Sequence, residues 1–345
     1  MNYLQIFAMS ASRYSRSRWL FLLIMTGVFS SLEAKIIYVK PYGIGNGISW
    51  KKASGDLATV LRNAEAGTEI WVAAGTYKPT KSKDRHQSFN VPDGVKLYGS
   101  FKGNELFLNQ RNLLNNVTVL SGEIGGKGIE DNSFNVIYTR NVSEETIVDG
   151  FHIISGCAKA WQAWHGHRSR SGAGWYNDGS FGESNPTISN CFFSNNHAID
   201  GGAIYNNGMS GKCEVSVNDC SFINNIANLD GGAVYNSCHN RGVVFTYFKD
   251  CVFEGNESNN GAGIFNFNMT GIDEVKLLNC SFLKNIAQAR GSAVFDHSFD
   301  TVLVDFKGCN FAENKAALCR KDVYSSLFKE EDKLKENNGG REYRM

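Results

Sequence analysis

"NCFFSNNHAIDGGAIYN", residues 190–206, returns in altered form about every thirty residues through the rest of the chain. The cysteines Cys191, Cys220, Cys251, Cys280 and Cys309 are separated by 29, 31, 29 and 29 residues. Two residues after each stands a phenylalanine: Phe193, Phe222, Phe253, Phe282, Phe311. Three residues further stands an asparagine: Asn196, Asn225, Asn256, Asn285, Asn314. Then come "GGAI" at 201, "GGAV" at 231, "GAGI" at 261 and "GSAV" at 291, with "GAGW" at 172 as an earlier relative. A register kept over so many copies marks an internal repeat, and the repeat decides the fold.

Cysteine and phenylalanine two residues apart share one side of a strand. Alternating runs precede the cysteines: "EVSV" at 214, "VVFTYF" at 243, "EVKLL" at 274 and "TVLVDF" at 301. No segment of a repeat has helical periodicity long enough for a crossover helix. One rung cannot bury its own apolar face, so rungs stack, with parallel strands at about 4.8 Å. The expected fold is all-β, a parallel β-helix with a short N-terminal capping helix. Within it the cysteine acts as a small buried hydrophobe and the phenylalanine fills the rung. The asparagine is expected to take a left-handed turn and to bond with the copies above and below it. The glycines permit a sharp corner.

The front of the chain differs. Arg13, Arg16 and Arg18 precede the apolar run "WLFLLIMTGVFSS", and Ala34 offers a small residue before Lys35. Residues 1–34 therefore read as a signal peptide, with an uncleaved signal anchor as the alternative, and the protein as exported, to periplasm, cell surface or medium. After that segment no apolar stretch could span a bilayer as a helix. In 35–80, strands flank "DLATVLRNAEAG", where Leu57, Val60, Leu61 and Ala64 mark one helical face. This is the expected cap. The β-helix is expected over 81–319, with irregular early rungs, and a polar tail over 320–345.

A formal net charge of +1, without a basic face, gives no footing for a nucleic-acid partner. All nine cysteines lie between Cys157 and Cys319. Cys213 and Cys238, placed in loops of adjacent rungs, could form a disulfide. Cys157 and Cys319 lie too many rungs apart to pair.

These motifs mark a resemblance. GGA[ILV] alternating with FxxN resembles the repeat of the chlamydial-type polymorphic outer-membrane proteins, over about residues 147–317. The front end resembles exported right-handed parallel β-helix proteins of Bacteroidetes-like bacteria. The broader similarity is to the pectin-lyase-like superfamily. The resemblance implies a secreted or surface-exposed protein of adhesin-like type. No stretch reads as a C-terminal β-barrel translocator, so self-display in an outer membrane is not expected.

The superfamily also implies an enzymatic alternative, a polysaccharide lyase or glycoside hydrolase acting on an acidic polysaccharide. Paired-carboxylate chemistry needs close carboxylates. Asp149, Asp200, Asp219, Asp230 and Asp250 are instead spread over repeat corners, where aspartate suits turns. Asp200 and Asp230 alone could come together by stacking. The one rung out of step is "CAKAWQAWHGHRSRSGAGW", 157–175. An insertion in a solenoid projects as a loop on one face. Its Trp161, Trp164, His165, His167, Arg168, Arg170 and Trp175 form the candidate ligand-binding set. Tryptophans stack on sugar rings and arginines hold carboxylates, so a carbohydrate or cell-surface glycan is the expected partner. The plainer expectation is that the same tryptophans fold down onto the flank and shield it. His165 and His167 lack a fixed third ligand, so neither metal nor cofactor is expected.

Overall fold

A strand turns a tight corner only where one residue accepts a left-handed backbone. The repeat supplies such a residue at three places. The residue before each ladder cysteine is left-handed: Asn190, Asp219, Asp250, Asn279 and Gly308. So is the residue before each ladder asparagine: Asn195, Asn224, Gly255, Lys284 and Glu313. The third corner falls on the first glycine, at Gly201, Gly231, Gly261 and Gly291. A Cβ on Gly201 would stand 2.5 Å from the Ile204 carbonyl oxygen, so the position requires glycine. The left-handed residue in FxxN is thus the one before the asparagine. The expectation for the ladder asparagine itself is corrected, because its side chain is committed to the hydrogen bonds described below.

The structure, a computed structural model, describes residues 35–126, 128–299, 304–318 and 322–325. The expected signal peptide, Cys319 and residues 326–345 lie outside them. Every strand pairing is parallel, and the strands fall into four sheets. In one coil, Thr187–Ser189 lies in sheet I, Phe192–Ser194 in sheet II, His197–Ala198 in sheet III and Ile204–Asn207 in sheet IV. Sheet I has nine strands among the described residues, from Ile36–Val39 to Val304–Lys307. Sheet IV reaches Val323–Ser325, which pairs with Val294–Asp296. Val323–Ser325 thus forms a strand within the segment expected to be polar tail. The early rungs lie where expected, with Lys96–Phe101, Thr118–Ser121 and Ile137–Arg140 in sheets I, II and IV.

Identical residues stack. The phenylalanine rings of sheet II lie nearly parallel, with centroids 5.0, 4.7, 4.6 and 5.2 Å apart from Phe193 to Phe311. Offset stacking of this kind adds to the area buried. The asparagines form a closed chain of hydrogen bonds. Asn225 Nδ2 donates to Asn256 Oδ1 at 3.1 Å and to the Phe193 carbonyl at 3.0 Å. The Asn225 backbone N–H also reaches Asn256 Oδ1, at 3.0 Å. The pattern repeats from Asn196 to Asn314.

The five ladder cysteines carry free thiols that donate to backbone carbonyls, as Cys251 does to Val217 at 3.5 Å. Burial pushes the Cys220 thiol well up. The proposed Cys213–Cys238 bridge is absent. Cys213 begins the inward face of a sheet I strand, and Cys238 ends a sheet IV strand. Both are free and fully buried rather than in loops. The Cys238 thiol donates to the Gly242 carbonyl at 3.0 Å and the Ile272 carbonyl at 3.2 Å. Alkylation after unfolding without reductant is expected to label both, read by peptide mass; labelling only after reduction would mean that they are bridged.

The cap is helix Leu57–Arg62, with Asp56 accepting from the Thr59 N–H as N-cap. Leu57 and Leu61 are buried in the main core, and Val60 and Ala64 pack against it. The face read from the sequence is the one that packs.

Candidate functional site

Residues 159–174 join sheet III to sheet IV in the coil that breaks step, whereas residues 199–203 suffice in the next. The insertion crosses the outer face of sheet IV. That face alternates with the core face, so each inward Trp175, Ile204, Val234, Ile264 and Val294 is followed by an outward aromatic. These are Tyr176, Tyr205, Tyr235, Phe265 and Phe295, flanked by Tyr138 and Tyr324. They stack into a second aromatic ladder with centroids 4.9 to 6.1 Å apart. Tyr176 through Phe295 are buried although they point away from the core.

The loop buries part of that ladder. The Tyr176 hydroxyl donates to the Gly166 carbonyl at 2.5 Å. His165 Nε2 lies 3.3 Å from the Tyr235 hydroxyl, two coils further along. The Arg168 guanidinium lies over the Tyr138 ring at 4.3 Å and donates to Asn135 Oδ1 and Ser88 Oγ. Asn135 Nδ2 donates back to the carbonyls of Arg168, Ser171 and Gly172. Arg170 Nε meets Asp200 Oδ2 at 2.9 Å, and His165 Nε2 stands 3.9 Å from the same oxygen. Burial pushes the Asp200 carboxyl up, with Arg170 and His165 pulling it back. Burial draws His165 down against the charge of Asp200. His165 is thus held toward its neutral form, and its ring meets Phe267 at 5.8 Å.

The candidate set divides. His165, Arg168 and Arg170 fasten the loop to the sheet. His167 turns to Ser169, its Nδ1 2.7 Å from the hydroxyl, so the two histidines do not converge. Trp175 is a core residue with no exposed surface, and its indole N–H donates to Thr139 Oγ1 at 2.8 Å. Its assignment to a ligand is corrected: two-residue alternation in sheet IV points it inward. Trp161 and Trp164 remain out, 55% and 63% exposed. The shielding expected of the tryptophans is done instead by the loop's histidine, glycine and arginine.

The scattered aspartates are held as corner residues. Asp149 pairs with Arg111 at 2.6 Å and accepts from Asn190 Nδ2. Asp219 and Asp250 take left-handed backbone before their cysteines. Asp230 accepts from Asn260 Nδ2 at 2.9 Å, and burial raises its carboxyl to about 6. Among the described residues no three His, Cys, Asp or Glu side chains are grouped to hold a metal ion.

The Chlamydia polymorphic membrane protein repeat model matches residues 190–207 and 219–237, two successive copies of the motif. The chain is a β-helix repeat protein resembling the polymorphic membrane proteins. No curated protein and no solved structure matches it significantly. In this β-helix repeat protein the matched stretches supply scaffold ladders, and the loop at 159–174 lies outside them.

Proposed function

We propose that this protein is a non-catalytic binding module of the surface or outer-membrane type, engaging glycans through the loop at 159–174. The repeat type supports the setting, since it is that of polymorphic membrane proteins. The observation that carries the reading is the contrast within the loop. Its base and far end are fixed by His165, Gly166, Arg168 and Arg170, while Trp161 and Trp164 face solvent. A rigid mount for two indoles lowers the ordering cost of binding, and an indole face suits the C–H face of a sugar ring.

A glycan array probed with the full chain, followed by titration of a retained glycan, tests this. Trp161→Ala and Trp164→Ala are each expected to weaken binding about tenfold, equivalent to about 1.4 kcal/mol. The melting temperature should stay unchanged, because both side chains are exposed. Binding indifferent to both substitutions would remove the loop from the account.

A further inference from the structure

At the N-terminal end, two loops lie over the outer face of sheet I. Residues 43–54 fold back as a hairpin in which Ile44 bridges Ser54 antiparallel. Residues 102–117 lead from sheet I to sheet II. The loops are joined where the Trp50 indole N–H donates to the Glu105 carbonyl at 2.9 Å. Beneath them Trp50, Tyr38, Trp71, Phe101 and Leu108 form a separate apolar cluster.

Both loops are held rigid by their own hydrogen bonds. The buried Glu105 carboxylate accepts from the N–H groups of Lys102, Gly103 and Asn104. Gln110 Oε1 accepts from those of Leu106 and Phe107. On these frames stand Tyr42, Ile44, Ile48, Leu106, Phe107 and Leu114, 98%, 102%, 61%, 75%, 64% and 88% exposed. Lys51, Lys52 and Lys102 are exposed beside them, and none is within ion-pair distance of a carboxylate among the described residues.

We infer that this end of the solenoid docks on an anionic lipid surface, with the apolar tips of both loops in the interface and Lys51, Lys52 and Lys102 against the headgroups. Large apolar side chains rarely gather at full exposure on a soluble surface without a partner. Here they are separate protrusions on turns and not the wall of a groove, which suits a deformable interface better than a shaped protein surface. Unpaired lysines beside them supply charge complementarity to anionic headgroups. The inference is independent of the glycan reading, which concerns a different sheet and a loop far along the chain.

The test is co-sedimentation of the full chain with phosphatidylglycerol/phosphatidylcholine vesicles and with phosphatidylcholine vesicles, combined with hydrogen exchange. Residues 1–34 are common to every protein compared, so only differences between variants count. Binding to the anionic vesicles is expected to be about tenfold tighter than to the neutral ones and to weaken with salt. New exchange protection should fall at residues 41–52 and 102–114. The triple variant Leu106→Ser, Phe107→Ser, Leu114→Ser should lose about tenfold in partitioning to either vesicle. Lys51→Glu, Lys52→Glu, Lys102→Glu should lose only the anionic preference. Both variants alter exposed side chains, and an unchanged melting temperature verifies their fold. Equal partitioning of wild type and both variants would overturn the inference. Protection of the same loops on raising protein concentration without vesicles would overturn it in favour of a second copy of the chain.

Discussion

Asn256→Ala is expected to destabilise the protein by at least about 3 kcal/mol, counted as roughly 1 kcal/mol or more for each buried polar group left without its partner. Asn256 is fully buried in the middle of the ladder. Its Oδ1 accepts from both the backbone N–H and the Nδ2 of Asn225, and its Nδ2 donates to the Phe222 carbonyl at 2.8 Å. Truncation strands those three groups in a site closed to water. Asn314→Ala provides the internal control, because Asn314 stands at the last rung of the ladder and is half-exposed. It should cost about 1 kcal/mol, the net worth of an ordinary hydrogen bond. Urea unfolding of both variants reads the difference. Equal small losses at the two positions would show that water replaces the amide and that the ladder is decorative.

The second large effect is a pH dependence created where an inner polar column changes residue type. The third residue of the sheet IV strands faces inward as Asn177, Asn206, Asn236 and Asn266, linked amide to amide, and then becomes Asp296. Asp296 is 1% exposed and accepts from Ser298 Oγ at 2.7 Å and Ser325 Oγ at 3.2 Å. Asp273, 3% exposed on sheet I, shares Ser298 and accepts from Asn268 Nδ2. Among the described residues no basic side chain pairs with either carboxylate, and the Cys238 thiol lies near Asp273. Burial, with Asp273 adding to it, raises Asp296 to about 7 from 3.8, and burial raises Asp273 as well.

A carboxyl raised on folding binds its proton more tightly in the native state. Its contribution is therefore fully present below the unfolded value and is lost as pH rises from about 4 through about 7. The loss is on the order of a few kcal/mol. Asp296→Asn should recover most of that loss above pH 7 and change little below pH 4. The amide would continue the column of asparagines that ends at Asn266. Urea midpoints for wild type and variant at pH 4.5 and pH 8 check the sign. A wild type more stable at pH 8 than at pH 4.5, with the variant indifferent, would contradict it.

The scaffold was legible because every rung repeats the same physical problem. Cys, Phe and Asn at fixed offsets gave the corners of sheets I to III, and the helical face at Leu57 and Leu61 gave the cap. The outer aromatic ladder was equally periodic in "GGAIYN", "GGAVYN", "GAGIFN" and "GSAVFD". Its burial is not legible there, because an outward side chain on a single-layer coil is expected to meet solvent. Its burial depends in part on a loop that reaches two coils along, a long-range contact that no local pattern encodes. The same distance effect decided the loop residues. Composition could pick out Trp161, Trp164 and the basic group, but only packing separates the indoles that face water from the side chains that hold the loop down. Trp175 was lost to the candidate set by one position of alternation. The unpaired apolar tips near Ile44 and Phe107 carry no repeat signal at all and emerge only from their exposure.

On the proposed reading, uniform stacked coils support one departing loop, and that loop meets the glycan. Hydrogen exchange of the full chain, with and without a glycan retained on the array, tests it most directly. New protection is expected only at residues 159–174 and the adjoining outer face of sheet IV, abolished by Trp161→Ala with Trp164→Ala. Protection on another face with that loop unchanged, or retention of no glycan at all, would contradict it.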